Sequence, residues 1–227
     1  KEAILNCGCE GVIRGILHTE NDRIADVVED QGTTILYGEP EFTETLLGLN
    51  FRISPFSFFQ TNSAGAEVLY DTAREYLNSS GTKPKTIYDL YSGTGTISQL
   101  LSPAAERVVG VEIIPEAVEA ARESARDNGI TNCEFIAGDV LQVLDDLTDA
   151  PEVIVLDPPR DGVHPKALRK ILSYGAKSII YIACRPASLA RDYEVFRHFG
   201  YEIKRMSATD MYPFTRHLEV IALLEKS

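Results

Sequence analysis

The sequence predicts an α/β fold: a mostly parallel, doubly wound, Rossmann-like sheet of seven strands with an antiparallel strand at its end, preceded by a small β-rich stretch. Three observations predict it. Strand-like and helix-like segments alternate from Thr86 onward. Glycine- and proline-rich turns stand where strands hand over to helices. The last two strand segments are joined by a loop too short for a helical crossover, so they should run antiparallel to each other.

The 227 residues suffice for one large α/β domain or one domain with a small appendage, and 44% hydrophobic residues can fill its core. No apolar run reaches the length of a membrane span. The opening Lys1-Glu2-Ala3-Ile4-Leu5-Asn6 has neither a long apolar stretch nor an initiator Met, which suggests a domain excised from a longer chain. Of the four cysteines, Cys7 and Cys9 stand too close for an ordinary disulfide, and a lone C-x-C is a weak metal signal, so no metal is expected. A reducing, cytoplasmic setting and a monomer are the expectation. The formal net charge of −12 argues against a bare polyanion-binding domain, although local basic patches remain possible.

In chain order, residues 1–55 read as β-rich and turn-rich, with strands at Gly11–Leu17, Thr33–Tyr37 and Phe51–Ser54 and a turn signal over Asp26–Gly32. This is too little to build a core of its own comfortably, so it reads as an appendage to a domain spanning 56–227. Pro55–Asn62 is a junction. Ser63–Leu77 is an amphipathic helix, with Ala66, Leu69, Tyr70, Ala73 and Leu77 at spacings of three and four. Asn78–Pro84 is a loop by composition. Strands follow at Ile87–Tyr91, Val108–Glu112, Glu134–Ala137, Val153–Asp157, Ser178–Ala183, Tyr201–Ser207 and Leu218–Leu224. Between them come helices at Pro115–Asn128, Val140–Leu147, Pro165–Ser173 and Ser188–Phe199.

Four stretches carry chemistry. The first is Asp89-Leu-Tyr-Ser-Gly-Thr-Gly-Thr96, between a strand and its helix. Gly93 and Gly95 let the backbone approach a ligand, but Ser98 takes the place of the third glycine of a dinucleotide fingerprint. Glu112 ends the next strand, where an acid accepts hydrogen bonds from ribose hydroxyls, and Asp139 follows the third strand. Such acids repel a pyrophosphate and suit a cationic sulfonium, which turns the reading from NAD to S-adenosylmethionine. A purely structural glycine turn is the plainer alternative.

The second stretch is Asp157-Pro158-Pro159-Arg160, a stiff loop that could hold a planar base beside the cofactor, or simply a turn. The third is Ile179–Pro186, a buried strand running into Cys184. Alone, such a thiol is more often an inert core residue than a nucleophile. The fourth is Met211–Glu219, where Arg216, His217 and Glu219 enter an apolar strand and alternation would put His217 and Glu219 on one face.

Phe58-Phe59-Gln60-Thr61-Asn62, Asp89–Gly95, Asp157–Arg160, Cys184-Arg185-Pro186-Ala187-Ser188-Leu189-Ala190-Arg191-Asp192 and Met211–Glu219, in this order, resemble the RNA uracil-5-methyltransferases acting on 23S rRNA and on tRNA. The resemblance runs from about Gly11 to the end. It implies an S-adenosylmethionine-dependent methyltransferase sheet, an RNA partner and 23S rRNA ahead of tRNA as substrate. It further implies Cys184 as nucleophile and Glu219 as general base. Gln60, Tyr91, Gly93, Gly95, Thr96, Glu112, Asp139 and Asp157 would meet the cofactor, and Gln60, Asp157, Arg160, Arg185 and His217 the base or its RNA. The family's usual Ser-Cys-Asn-Pro reads Ala183-Cys184-Arg185-Pro186 here, which puts the usual base-contacting Asn in question. The family's N-terminal RNA-binding barrel and its iron–sulfur cysteines have no counterpart in these residues. An amino-methylating enzyme built on the Asp-Pro-Pro loop and a non-catalytic RNA-binding module are the alternatives.

Overall fold

The computed structural model describes residues 1–8, 10–22, 32–79, 81–147 and 149–227. A short helix α1 (Glu2–Leu5) is followed by an antiparallel hairpin, β1 (Gly15–Thr19) with β2 (Thr33–Gly38). A second hairpin pairs β3 (Phe42–Leu46) with β4 (Leu49–Ile53). The two residues of its turn, Leu47 and Gly48, both have positive φ, as a tight hairpin turn requires. The strand expected at Gly11–Leu17 starts four residues later, and β3 escaped the sequence reading because Phe42-Thr-Glu-Thr-Leu46 is short and mostly polar. The turn expected over Asp26–Gly32 lies, apart from Gly32, outside the described residues.

Helix α2 (Ser63–Asn78) opens the main body. It is capped by Asn62, whose side chain accepts the Gly65 N–H at 3.0 Å and donates to the Met211 carbonyl at 3.0 Å. One amide thus ends the Gln60 junction, starts the helix and ties both to the loop before the last strand. The body then runs β5 (Thr86–Leu90), α3 (Thr96–Leu101), β6 (Arg107–Glu112), α4 (Pro115–Asp127), β7 (Cys133–Ala137), α5 (Val140–Asp146), β8 (Val153–Leu156), α6 (Pro165–Ser173), β9 (Ser178–Ala183), α7 (Pro186–His198), β10 (Tyr201–Thr209) and β11 (Glu219–Lys226). Helix α7 begins two residues earlier than expected, because Pro186 supplies its first turn rather than merely ending the strand.

The seven strands form one sheet in the order β10-β11-β9-β8-β5-β6-β7. β6, β7, β8 and β9 join it through parallel pairings, while β11 is antiparallel to both β9 and β10. One apolar cluster holds Leu90, Leu156, Tyr181, Ala183 and Val220 beneath α5, α6 and α7. The other holds Ile87, Val155, Ile182 and Ile221 with Leu69, Tyr70 and Ala73 of α2. Leu46 and Phe51 of the second hairpin belong to this second cluster. Reciprocal hydrogen bonds between Asn50 and Asn128, at 2.9 and 3.0 Å, fasten the same hairpin to the end of α4.

These two faces place the chemistry. Side chains alternate along a strand, so residues in phase with the α2-facing set point the same way. Asp89 follows Ile87, Asp157 follows Val155, Cys184 follows Ile182, and Glu219 precedes Ile221. Asp89 and Glu219, within β5 and β11, therefore look toward α2, and Asp157 and Cys184, directly after β8 and β9, join them through the charge of Glu219. They do so where β5 and β8, neighbours in the sheet, lead to crossovers running in opposite directions, the crevice in which open α/β sheets bind ligands.

Candidate active site

Cys184 directly follows β9, and Glu219 is the first residue of its antiparallel neighbour β11. Val220 is paired with Ala183 at the end of the ladder; Glu219 precedes that pair on β11, Cys184 follows it directly after β9, and Glu219 acts electrostatically on the thiol. The thiol is half-buried, whereas the Glu219 carboxyl is 4% exposed. Burial pushes Glu219 up to about 7, with Arg160 pulling against it. The Cys184 thiol is also raised, first by burial and then by Glu219 and Asp157, again with Arg160 opposing. Arg160 is exposed, and its guanidinium lies 3.3 Å from the His217 imidazole. His217 precedes the first residue of β11, so strand alternation does not govern it. It joins the group through Arg160, and its ring meets Tyr212 edge-on at 6.4 Å.

Behind the thiol lies a second pair of acids. Burial, then Glu219 and Asp89, push Asp157 up to about 8. Asp89 is fully buried and raised to about 6, chiefly by desolvation, while a 2.5 Å hydrogen bond from the Ser98 hydroxyl holds it down. Tyr70 of α2 closes this pocket. Its hydroxyl is raised by burial and by Asp157, Glu219 and Asp89, with the nearby Gln60 side chain opposing. The Gln60 Oε1 and Asp89 Oδ1 atoms are buried with no hydrogen-bond partner among the described residues. Orphaned acceptors in a crevice are where a ligand's N–H or O–H groups would be met.

The glycine loop lies next to these acids. Tyr91 (φ 71°), Gly93 (φ 54°) and Gly95 (φ 74°) all take left-handed backbone, which is uncommon for a tyrosine. The Tyr91 and Ser92 N–H groups both donate to the Val111 carbonyl, so the loop folds back over β6. Gly93 has open space where a Cβ would stand, whereas one on Gly95 would come within 2.6 Å of the Phe135 ring. Glu112 is held by two backbone donors, Gly93 N–H on one oxygen and Ile114 N–H on the other, each at 3.0 Å. Exposed Ile113, 58% open, gives the same edge an apolar surface. Asp139 caps α5 through the Leu141 N–H at 2.9 Å. Thr96 is buried at the first turn of α3, and the buried Ser92 hydroxyl has no partner among the described residues. An oriented acid, an apolar edge, an open glycine and an orphaned hydroxyl fit a nucleoside with a small polar tail.

Of the residues singled out from sequence, Gln60, Asp157, Arg160, Cys184, His217 and Glu219 converge on one group. Tyr91, Gly93, Gly95, Thr96, Glu112 and Asp139 border it. Arg185 stands apart: exposed, 4.0 Å from the still more open Asp161, in a contact worth about 0–1 kcal/mol. Sequence reasoning passed over Asp89, Tyr70 and Ile113. Asp89 sat in a quoted motif, but its isolation shows only when neighbouring strands enclose it. Tyr70 was read as a helix core position, which it is, with a hydroxyl on the wrong side for a purely apolar role. Among the described residues no group of His, Cys, Asp and Glu is arranged to hold a metal ion, and no helix is long and apolar enough to cross a membrane.

A family model described as tRNA (uracil-5-)-methyltransferase matches residues 46–227. An uncharacterized RNA methyltransferase of Clostridium tetani is 48% identical over 225 residues, which is 99% of this chain and 49% of that protein. A protein of the same description from Caldanaerobacter subterraneus is 49% identical over 213 residues, 94% of this chain and 47% of its own. This chain thus spans about half the length of the curated relatives it matches. Among solved structures, the Pyrococcus abyssi tRNA (uracil-54, C5)-methyltransferase in complex with S-adenosyl-L-homocysteine superposes with a TM-score of 0.77 at 29% identity, over 94% of this chain and 51% of that one. A Streptococcus mutans methyltransferase, at 15% identity and a TM-score of 0.64, shares the fold, over 85% of this chain and 58% of that one.

Proposed function

Because the chain belongs to the tRNA (uracil-5-)-methyltransferase family, we propose that it carries the catalytic half of an enzyme that methylates C5 of a uridine in RNA with S-adenosylmethionine. The observation that carries this reading is the grouping of Glu219, Asp157 and Arg160 around Cys184 at the end of the β9–β11 ladder.

Uracil C5 is a weak nucleophile. Cys184, as thiolate, forms a bond to C6, and the ring electrons move onto the C4 carbonyl oxygen, which makes C5 electron-rich. Bound S-adenosylmethionine supplies an electrophilic methyl group to that carbon. Glu219 then takes the C5 proton, the C5–C6 double bond re-forms, and the C6–S bond breaks to return the Cys184 thiolate. A carboxylate raised to about 7 is matched to accepting a proton at neutral pH. Arg160, the cation acting on both groups, favours the thiolate. Gln60 and Asp157 hold the edges of the base beside the cofactor. Glu112 accepts the ribose hydroxyls, Tyr91, Gly93, Gly95, Thr96 and Asp139 line the nucleoside, and His217 and Arg185 meet the flanking RNA. The target uridine must be unpaired or flipped to reach the sulfur.

We place 23S rRNA first as substrate. The likeness to the Pyrococcus abyssi tRNA enzyme favours tRNA as the second reading. Incubation with methyl-labelled S-adenosylmethionine and total bacterial RNA, resolved by size, tests both. Label in 5-methyluridine of the large rRNA is expected; label in tRNA alone replaces the substrate, and label on amino groups or none at all overturns the reaction. In RNA substituted with 5-fluorouracil, C5 carries fluorine instead of a proton, so the Cys184 adduct should persist.

A further inference from the structure

The loop from Asp157 to Val163 carries two of the groups around the thiol, Asp157 and Arg160, yet has no regular secondary structure. Its fixed position has an identifiable source. Asp192 of α7 is 3% exposed, and its carboxylate accepts four hydrogen bonds. On Oδ2 it receives the Tyr181 hydroxyl at 2.7 Å and the Val163 N–H at 3.0 Å. On Oδ1 it receives the Arg191 Nε and Nη2 groups at 3.0 and 2.8 Å. Arg191 Nη2 reaches on to the Asp161 carbonyl at 2.5 Å. Gly162 lies between, at φ 73°, where a Cβ would come within 2.7 Å of Asp192 Oδ2. Strand β9, which leads to Cys184, and the loop that brings Arg160 are thus joined through one buried carboxylate.

We propose that Asp192 is a positioning residue: clamped by Tyr181 and Arg191, it holds the Asp157–Val163 loop through the Val163 amide and so sets where Arg160 and Asp157 stand relative to Cys184. The proposal rests on the reaction proposed above. A buried carboxylate with four donors resists displacement, because removing it leaves the buried Tyr181 hydroxyl and Val163 amide without partners. The charges facing Cys184 are Glu219 from β11 and Asp157 and Arg160 from this loop. Of these charges only Arg160 favours the thiolate, so loosening the clamp removes the cation from the nucleophile while leaving the nucleophile in place.

The test uses the whole chain, 5-fluorouracil-substituted RNA as trap, and the variants Asp192→Asn, Tyr181→Phe, Arg160→Gln and the double variant Asp192→Asn/Arg160→Gln. Adduct formation by Asp192→Asn should slow roughly 10- to 100-fold, as small misplacements of reacting groups do. Its pH dependence should move to higher pH, the direction expected for Arg160→Gln, and the double variant should move no further than Arg160→Gln alone. Tyr181→Phe, which keeps the carboxylate, should show the same displacement to a smaller degree. Hydrogen exchange over residues 158–164 should quicken in Asp192→Asn, with β5 and β6 unchanged. Slower adduct formation with an unmoved pH profile, or additive shifts in the double variant, overturns the positioning role. If the wild-type chain forms no adduct, the proposed reaction fails instead, and exchange at 158–164 then decides the clamp by itself: unchanged exchange refutes it.

Discussion

Glu219 and Cys184 flank the Val220–Ala183 pair that ends the β9–β11 ladder, and this relationship couples the two groups on which the proposed chemistry depends. Glu219 is the charged neighbour that raises the thiol most, so nucleophile and base sense each other's protonation.

Removing the sulfur separates chemistry from binding. Cys184→Ala should abolish methyl transfer and the 5-fluorouracil adduct. S-adenosylmethionine affinity, measured by calorimetry, should stay within about 2-fold, because the proposed nucleoside site lies on β5 and β6. Residual turnover in this variant excludes Cys184 as nucleophile.

Glu219→Gln should act at the opposite end of the reaction. The amide keeps the shape but cannot take the C5 proton, so methylated RNA should stay attached to Cys184 and migrate with the protein on a denaturing gel. In the wild type, product release should fall as pH drops through about 7, where Glu219 becomes protonated. Rapid release by the Gln variant, or release that does not slow in acid, assigns the proton to another group.

The acid cluster should also govern stability. Asp157, Glu219 and Asp89 are raised to about 8, 7 and 6, whereas in an unfolded chain carboxyls titrate near 4. Between those limits the folded state binds more protons than the unfolded state, so the stability these three acids contribute is full below about pH 4 and declines as pH rises toward 8. Glu134 and Glu152 are shifted the other way, but their contributions change only below the ordinary glutamate range. Urea midpoints should therefore fall from about pH 5 to about pH 8.5, and Asp157→Asn should flatten the slope. A midpoint that holds level or rises over that interval contradicts the burial of these charges.

Gly95 is a backbone requirement. Its φ of 74° and the Phe135 ring 2.6 Å from the place of a Cβ mean that Gly95→Ala combines strain with a collision in the small cluster around α4. A loss of roughly 1–3 kcal/mol in chemical unfolding is expected, together with weaker cofactor binding. Gly93→Ala has room for the methyl group and should be milder in packing, with its positive φ as the main cost.

The periodicity of the chain made the body of the fold legible. Alternating segments from Thr86 located every strand of the seven-stranded sheet to within a few residues, because burial between two helix layers selects runs such as Ile179–Ile182 and Val153–Leu156. The antiparallel ending could be read from loop length alone. The second hairpin was hidden because β3 packs through few residues, and Leu46 reveals its burial only against α2.

The site was legible as a set of motifs but not as an arrangement. Residue type and strand-end position singled out Cys184, Glu219, Asp157 and Glu112, since thiols, acids and stiff turns at strand ends announce themselves locally. Which of them act together depends on strand order and register, which link positions far apart in the chain. Only the folded sheet sets Glu219 against Cys184, encloses Asp89, turns the Tyr70 hydroxyl toward the acids and closes Asp192 over Val163. The amino-acid sequence by itself determined the fold class and the cast of reactive groups, because both follow from local pattern. The tertiary structure decided their partners and their proton affinities, because desolvation and cross-strand contact exist only once distant segments share one sheet.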